Sequence, residues 1–164
     1  MDVQILMFKQ DDPTKCTAAK LVKFGIARQV RKTSQKSLIL DPFSKEFILK
    51  ADGRNVDSIT AIDCSWELAQ KMFLRRFGGL SRKLPPLLAG NPVNYAKIGK
   101  LTTAEAIAGA LYVIGLDDLA HSILNKFKWG HTFYDLNHNL LMDYSRACLQ
   151  KEIIEIATDY GLAA

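Results

Sequence analysis

Four consecutive side chains, Asp63, Cys64, Ser65 and Trp66, bring a carboxylate, a thiol, a hydroxyl and an indole to one point of the chain. Such a set admits three kinds of chemistry: nucleophilic attack, metal ligation, or proton abstraction by a carboxylate beside an apolar wall. A nucleophile needs a base, but no histidine lies near in sequence and there is no G-x-S-x-G turn. A metal needs several ligands at workable spacing. His121, His131 and His138 are the only histidines, none stands four residues from another or from a cysteine, and Cys16, Cys64 and Cys148 form no C-x-x-C pair. No metal is expected. What remains is Asp63 as a candidate general base with Trp66 as a flat wall; the competing reading has Asp63 accepting backbone amides at a helix start. Cys64 reads as a structural thiol and Ser65 as an N-cap.

The phosphate-cradling loops G-x-x-x-x-G-K-[ST] and G-x-G-x-x-G are missing, which removes the usual signatures of nucleoside triphosphate and dinucleotide binding. Phosphate is suggested instead by charge. The chain carries a net charge of +5, and residues 1–100 hold 18 Lys and Arg against 9 Asp and Glu, whereas residues 101–164 hold 4 against 8. Lys71, Arg75, Arg76 and Arg82 make one basic group, Lys71 and Arg75 sharing a helix face by their spacing of four. Arg28, Arg31, Lys32 and Lys36 make a second. Two such groups in one half point to a folded surface that reads a polyanion, with nucleic acid the leading partner.

The elements that must position these residues follow from apolar periodicity. Residues 3–8 form a short β-branched run stopped by Asp11, Asp12 and Pro13, hence a buried strand; Ala18, Leu21 and Val22 have helical spacing and Gly25 stands where that helix ends. Residues 26–30, Ser37–Leu40 and 59–62 read as further strands. Ser65 then starts a helix over residues 66–77 that Gly78 and Gly79 end. Asp63 therefore falls at the carboxyl end of a strand, where open α/β sheets bind ligands. The stretch SRKLPPLLAGNPVNYAKIGKLTTAEA (81–106) is rich in Pro, Gly and Asn yet too apolar for a disordered linker, so it reads as a buried or ligand-lining loop. Thr102 and Glu105 have capping-box spacing, and Ala106, Ile107, Ala110, Leu111 and Ile114 continue as a helix face. Leu119, Ile123, Leu124 and Phe127 mark a second helix ended near Gly130, Leu136, Leu140, Leu141 and Tyr144 a third, and Ile153, Ile154 and Ala157 a last one. Strands come first and helices last.

At 164 residues, 48% hydrophobic and 24% charged, the chain is long enough to bury a core. No apolar run nears the roughly 20 residues a membrane helix needs, and the start Met1-Asp2 has no signal-peptide pattern. A cytoplasmic location with no membrane attachment is expected, and unpaired cysteines suit a reducing compartment.

Several stretches together resemble one family, the archaeal and eukaryotic small-subunit ribosomal RNA aminocarboxypropyltransferases. They are DPTKCTAAKL (12–21), LILDP (38–42), AIDCSW (61–66), RKLPPLLAGNPVNY (82–95), KLTTAEAIAGALYVIG (100–115) and FKWGHTFYDLN (127–137), in order along the whole chain. The resemblance implies an α/β protein in two parts: a small mixed α/β lobe, basic and RNA-facing, over residues 1–83, and a SPOUT-like lobe with a deep trefoil knot over 84–164, the cofactor lying between them. Periodicity alone could not suggest a knot. The cofactor implied is S-adenosylmethionine as co-substrate, its 3-amino-3-carboxypropyl group going to N3 of a modified uridine in small-subunit rRNA, with 5′-methylthioadenosine released. The partner is that rRNA or the pre-ribosomal small subunit, and the protein acts as a monomer.

Carried onto this chain, the resemblance places Trp66 and Ala69 at the wall that hides the methyl group and Leu40, Pro42, Leu84 and Leu101 around the adenine. Backbone groups near Leu84 and Gly99 read the adenine edge, and Thr17, Ile62 and Thr103 hold the ribose or methionine ends. Asp63 takes the N3 proton or positions the cofactor's amino group. Two departures from the family pattern stand out. Ala18-Ala19 replaces a Gly-Lys continuation, and Ala96 stands where glycine is common, which makes a positive φ costlier there. Two other functions stay open, a SPOUT methyltransferase using the same cofactor and a non-catalytic RNA-binding assembly factor.

Overall fold

The run DVQILM builds β1 (Asp2–Met7), in which Val3 through Leu6 are all buried, as happens when both faces of a sheet are covered. The same continuous burial marks β3 (Ser37–Leu40) and most of β4 (Ser58–Asp63). With the shorter β2 (Arg28–Val30) and β5 (Leu80–Arg82) they form one five-stranded sheet in the order β2-β1-β4-β3-β5, every pairing parallel. This computed structural model describes residues 1–8, 16–64, 71 and 77–162. Three of the polar groups inside the sheet form a chain: Ser37 and Thr60 share a 2.6 Å hydroxyl contact, and Thr60 donates to Gln4 Oε1 at 3.3 Å, whereas the buried Ser58 hydroxyl has no partner.

After β1 comes α1 (Thr17–Lys23), closed by Gly25 at φ +75° as expected. The helical half consists of α2 (Thr103–Val113), α3 (Asp117–Leu124), α4 (Gly130–Arg146) and α5 (Gln150–Asp159). Almost every residue of α2 is buried, because the helix is surrounded: it packs on β4, on α1, and under both α3 and α4, while α5 packs on α4. One apolar core therefore runs from Val3 in β1 through Leu38 and Ile59 to Leu111, Phe133 and Ile153. The architecture is mixed α/β, as read from the sequence, and the structure adds that its sheet is parallel. No helix among the described residues is long and apolar enough to cross a membrane.

Two local expectations change, and a third is not tested. The expected helix at 66–77 lies outside the described residues, apart from Lys71 and Phe77. β5 occupies the start of what read as an irregular loop; three residues, none fully buried, are too few to show a period. Gly130 does not end the second helix but opens α4, where a Cβ would collide with the Leu124 carbonyl. A side chain there would push α3 and α4 apart.

Candidate active site

The carboxyl ends of β3 and β4 open into a cleft of about 710 Å³. β4 contributes Ala61, Ile62 and Asp63, followed by Cys64; β3 contributes Leu40, followed by Asp41 and Pro42. The chain leaving β5 forms the facing wall with Lys83 through Leu87, and Ile98, Gly99 and Leu101 close it beside the start of α2.

Asp63 is held from two sides. Thr103, the first residue of α2, donates its hydroxyl to Oδ1 at 3.4 Å, and the Cys16 thiol, at the N-cap of α1, donates to Oδ2 at 3.3 Å. Thr17 Oγ1 meanwhile accepts from the Ala104 amide at 3.2 Å, so one side chain of α1 satisfies an orphan donor in the first turn of α2. The two helix starts are thereby locked around one carboxylate. Burial pushes both the Cys16 and Cys64 thiols up, and the Asp63 charge adds to this, so neither is disposed to ionise as a nucleophile would. Burial also raises the Asp41 carboxyl, against the lowering effect of the Phe43 and Ser44 amides. Among the described residues the cleft's cation is Lys83, whose Nζ sits 4.3 Å from the Phe47 ring centre.

The long loop after β5 owes its shape to side chains far away in sequence. Glu105, wholly buried, accepts from the Gly90 amide at 2.6 Å, the Asn91 amide at 3.0 Å, Asn91 Nδ2 at 2.9 Å and the Thr102 amide at 2.7 Å. Asn137 of α4 makes a two-point clamp on Leu88, accepting from its amide and donating to its carbonyl, each at 2.8 Å. Tyr144 donates to the Pro86 carbonyl at 2.9 Å, and Gln150 of α5 clamps both backbone groups of Phe47. Gly90 lies so close to the backbone of Phe133 that no Cβ fits.

A protein family described as "Ribosome biogenesis protein, C-terminal" matches residues 38–161. A 16S rRNA aminocarboxypropyltransferase of Methanococcoides burtonii is 44% identical over 163 residues, covering 96% of this chain and 94% of its own. The namesake of Sulfurisphaera tokodaii is 42% identical over 158 residues, covering 95% and 93%. The chain belongs to the 16S rRNA aminocarboxypropyltransferase family. Among solved structures, the SAM-dependent rRNA:acp-transferase Tsr3 from Vulcanisaeta distributa superposes with a TM-score of 0.83 at 35% identity, over 98% of this chain and 89% of that one. Residues 1–35 also match a "Possible Fer4-like domain in RNase L inhibitor, RLI". That segment holds one cysteine, Cys16, whereas a thiolate-bound iron–sulfur cluster takes four, so the residues present do not fit a cluster.

The residues that the family resemblance implied converge. Thr17, Leu40, Pro42, Ile62, Asp63, Leu84, Gly99, Leu101 and Thr103 all line the one cleft, although they come from separate parts of the chain. Trp66 and Ala69, and the expected cap Ser65, lie outside the described residues. Sequence reasoning missed Cys16, Asp41, Phe47 and Lys83 as cleft residues. Cys16, Asp41 and Lys83 sit inside the matched stretches and could have been taken from them; Phe47 is brought to Lys83 by a parallel bridge that no local spacing foretells.

The basic residues divide differently from the expectation. Arg31, Lys32, Lys36 and Lys71 are exposed, and Arg75 and Arg76 lie outside the described residues. Arg28 is exposed but pairs with Asp2 at 2.7 Å. Arg82 is only 20% exposed, its guanidinium bound to Glu46 at 3.1 Å and Asp52 at 3.3 Å, so it braces the sheet edge instead of facing a ligand. Arg31 follows the carboxyl end of β2 whereas Lys36 precedes the amino end of β3, and in a parallel sheet these ends are opposite. They do not make one patch. Ala96 also departs from expectation: it adopts φ +61° despite its side chain, held there by its amide's 2.7 Å bond to the Ala89 carbonyl. The surrounding hairpin outweighs the local strain.

Proposed function

We propose that this protein transfers the 3-amino-3-carboxypropyl group of S-adenosylmethionine to N3 of a modified uridine in small-subunit rRNA, releasing 5′-methylthioadenosine, and that the cleft beside Asp63 is where it does so. The observation that carries this is the convergence of nine residues, drawn from distant segments, on a cleft with a doubly held carboxylate at its floor. Its volume falls in the range of pockets that enclose a ligand of this size.

The residues present suit the co-substrate. Leu40, Pro42, Leu84 and Leu101 offer apolar surface to an adenine, and the backbone near Leu84 and Gly99 offers groups to its edge. Thr17 uses an oxygen lone pair on Ala104 and keeps its hydroxyl proton to donate. Asp41 and Lys83 add one charge of each sign to the same cleft, beside Leu40, Pro42 and Leu84. When bound, S-adenosylmethionine supplies a sulfonium whose three attached carbons are all electrophilic. Selecting among them is a task of positioning, which falls to Trp66 and Ala69 as the wall around the methyl. Asp63, oriented by Thr103 and Cys16, either accepts the N3 proton or fixes the amino group; a pH–rate profile that changes form in Asp63→Asn favours the first role.

The finer architecture belongs to the same reading. Residues 1–83 supply the sheet and the RNA-facing basic surface, residues 84–164 a SPOUT-like part with a deep trefoil knot, and the co-substrate lies between. A monomer acting in the cytoplasm on small-subunit rRNA or its precursor particle completes it, on the strength of the resemblance. The test uses rRNA and S-adenosylmethionine labelled either in the carboxyl carbon or in the methyl carbon. RNA should gain label only from the first; label only from the methyl would replace this reading with a methyltransferase, and label from neither with an RNA-binding assembly factor.

A further inference from the structure

The clamped loop ends in a projecting hairpin. Residues 87–89 pair with 96–99: the Ala89 amide donates to the Lys97 carbonyl at 3.0 Å, the Ala96 amide to the Ala89 carbonyl at 2.7 Å, and the Gly99 amide to the Leu87 carbonyl at 2.9 Å. Its turn is fixed by Asn91, whose Oδ1 accepts from the Asn94 amide at 3.0 Å, and its base by the Asn91–Glu105 contacts. At the tip, Val93 is 84% exposed, Tyr95 58% and Ile98 46%, with Lys97 exposed between them. Apolar side chains this open, on a backbone this firmly held, are not a core that failed to form. Holding Ala96 at positive φ costs stability, and it presents the tip in one conformation.

The tip is continuous with the cleft, because Ile98 is both part of the exposed group and part of the cleft wall. A base whose N3 must reach Asp63 has to leave its stack, and its neighbours lose stacking partners when it does. A flat ring on the rim repays that loss, and a cation beside it meets the backbone phosphate. Resting on the transferase reading above, we propose that residues 91–98 are an RNA-docking tip: Tyr95 stacks on a nucleobase next to the target uridine, Val93 and Ile98 flank it, and Lys97 contacts phosphate. The partner is a single-stranded or locally unstacked RNA segment.

The experiment compares the full-length protein with Tyr95→Ala, Tyr95→Phe and Lys97→Glu, reading rRNA affinity, KM for rRNA, and affinity for S-adenosylmethionine separately. Tyr95→Ala should weaken rRNA binding by about 5- to 150-fold, the span measured for loss of one stacked base, with Tyr95→Phe near the parent. Lys97→Glu should weaken it too and lower the salt dependence. Affinity for S-adenosylmethionine should stay unchanged in all three, and the exposure of both positions means that each variant folds. A Tyr95→Trp variant should lose more indole fluorescence on adding rRNA than the parent, which carries Trp66 and Trp129, and the difference reports the stack. Unchanged rRNA affinity and KM in Tyr95→Ala, or equal defects in Tyr95→Ala and Tyr95→Phe, overturn the proposal while leaving the transferase reading intact. Normal binding to bare rRNA with loss of modification only on assembled particles would assign the tip to a ribosomal protein and overturn it also. Failure of the parent protein to transfer any label to rRNA removes the transferase reading itself.

Discussion

Asp63 gains its character from what donates to it. A carboxylate accepting from a thiol on one oxygen and a hydroxyl on the other is fixed in orientation, and the thiol in turn is kept protonated by burial and by the Asp63 charge. Cys64, next in sequence, is raised for the same two reasons. A raised thiol pKa means less thiolate at a given pH and slower alkylation. Cys148 is exposed and serves as the internal reference. At pH 8, iodoacetamide followed by peptide mass spectrometry should label Cys148 first, with Cys16 and Cys64 lagging. In Asp63→Asn the negative charge that raises both thiols is gone, so Cys16 and Cys64 should react faster and Cys148 at its former rate. Equal rates for all three cysteines in the parent protein would show that the cleft does not shield its thiols. Of the four residues the sequence singles out, Asp63 and Cys64 line the cleft, but the thiol that donates to the acid was not legible: Cys16 lies 47 residues away, and no spacing rule joins an N-cap thiol to a strand end.

At the level of elements, the cleft depends on a loop with little regular structure of its own, and Glu105 is its anchor. The sequence shows Thr102 and Glu105 as a capping box, and that box forms, with Thr102 Oγ1 accepting from the Glu105 amide at 3.2 Å. The same carboxylate also gathers Gly90 and Asn91, which a local motif cannot announce. Glu105→Ala leaves four donors without their acceptor, and each such buried group costs about 1–3 kcal/mol before relaxation. A destabilisation of about 3 kcal/mol overall, or roughly 10 °C in Tm, is expected in thermal or urea unfolding, together with weakened S-adenosylmethionine binding. An unshifted Tm would mean that water replaces the carboxylate freely and that the loop is held elsewhere. The pattern of success is physical. β1, β3, β4 and α2 bury continuous or periodic apolar faces, and apolar period is what a sequence displays. β5 is too short for a period, and the clamps Asn137, Tyr144 and Gln150 are single polar residues acting 49, 58 and 103 positions away.

For the molecule as a whole, the uneven charge visible in the sequence becomes a matter of which sheet edge each cation occupies. Val30, the last residue of β2, is in register with Leu6 and through it with Ile62, so Arg31 leaves the sheet about 10 Å, two strand spacings, from β4 near the level of Asp63. Ser37, which follows Lys36, is level with Ser58, about 16 Å further back along the strands. On the proposed reading, an RNA whose uridine entered the cleft would lie nearer Arg31 than Lys36. Arg31→Glu should therefore weaken rRNA binding, and Arg31→Ala should reduce the slope of log affinity against log salt by about 0.7 to 0.9, the change produced when one phosphate is no longer neutralised, while Lys36→Glu changes both far less. Arg82→Ala is the contrasting case. Its guanidinium is committed to Glu46 and to the largely buried Asp52, so its removal should lower Tm and leave the salt slope as it was. The four variants separate two sources of basic charge that composition treats alike, cations free to meet phosphate and cations already used by the fold. A salt slope that fell equally for Arg31, Lys36 and Arg82 would mean that the RNA reads overall charge, not the cleft edge of the sheet.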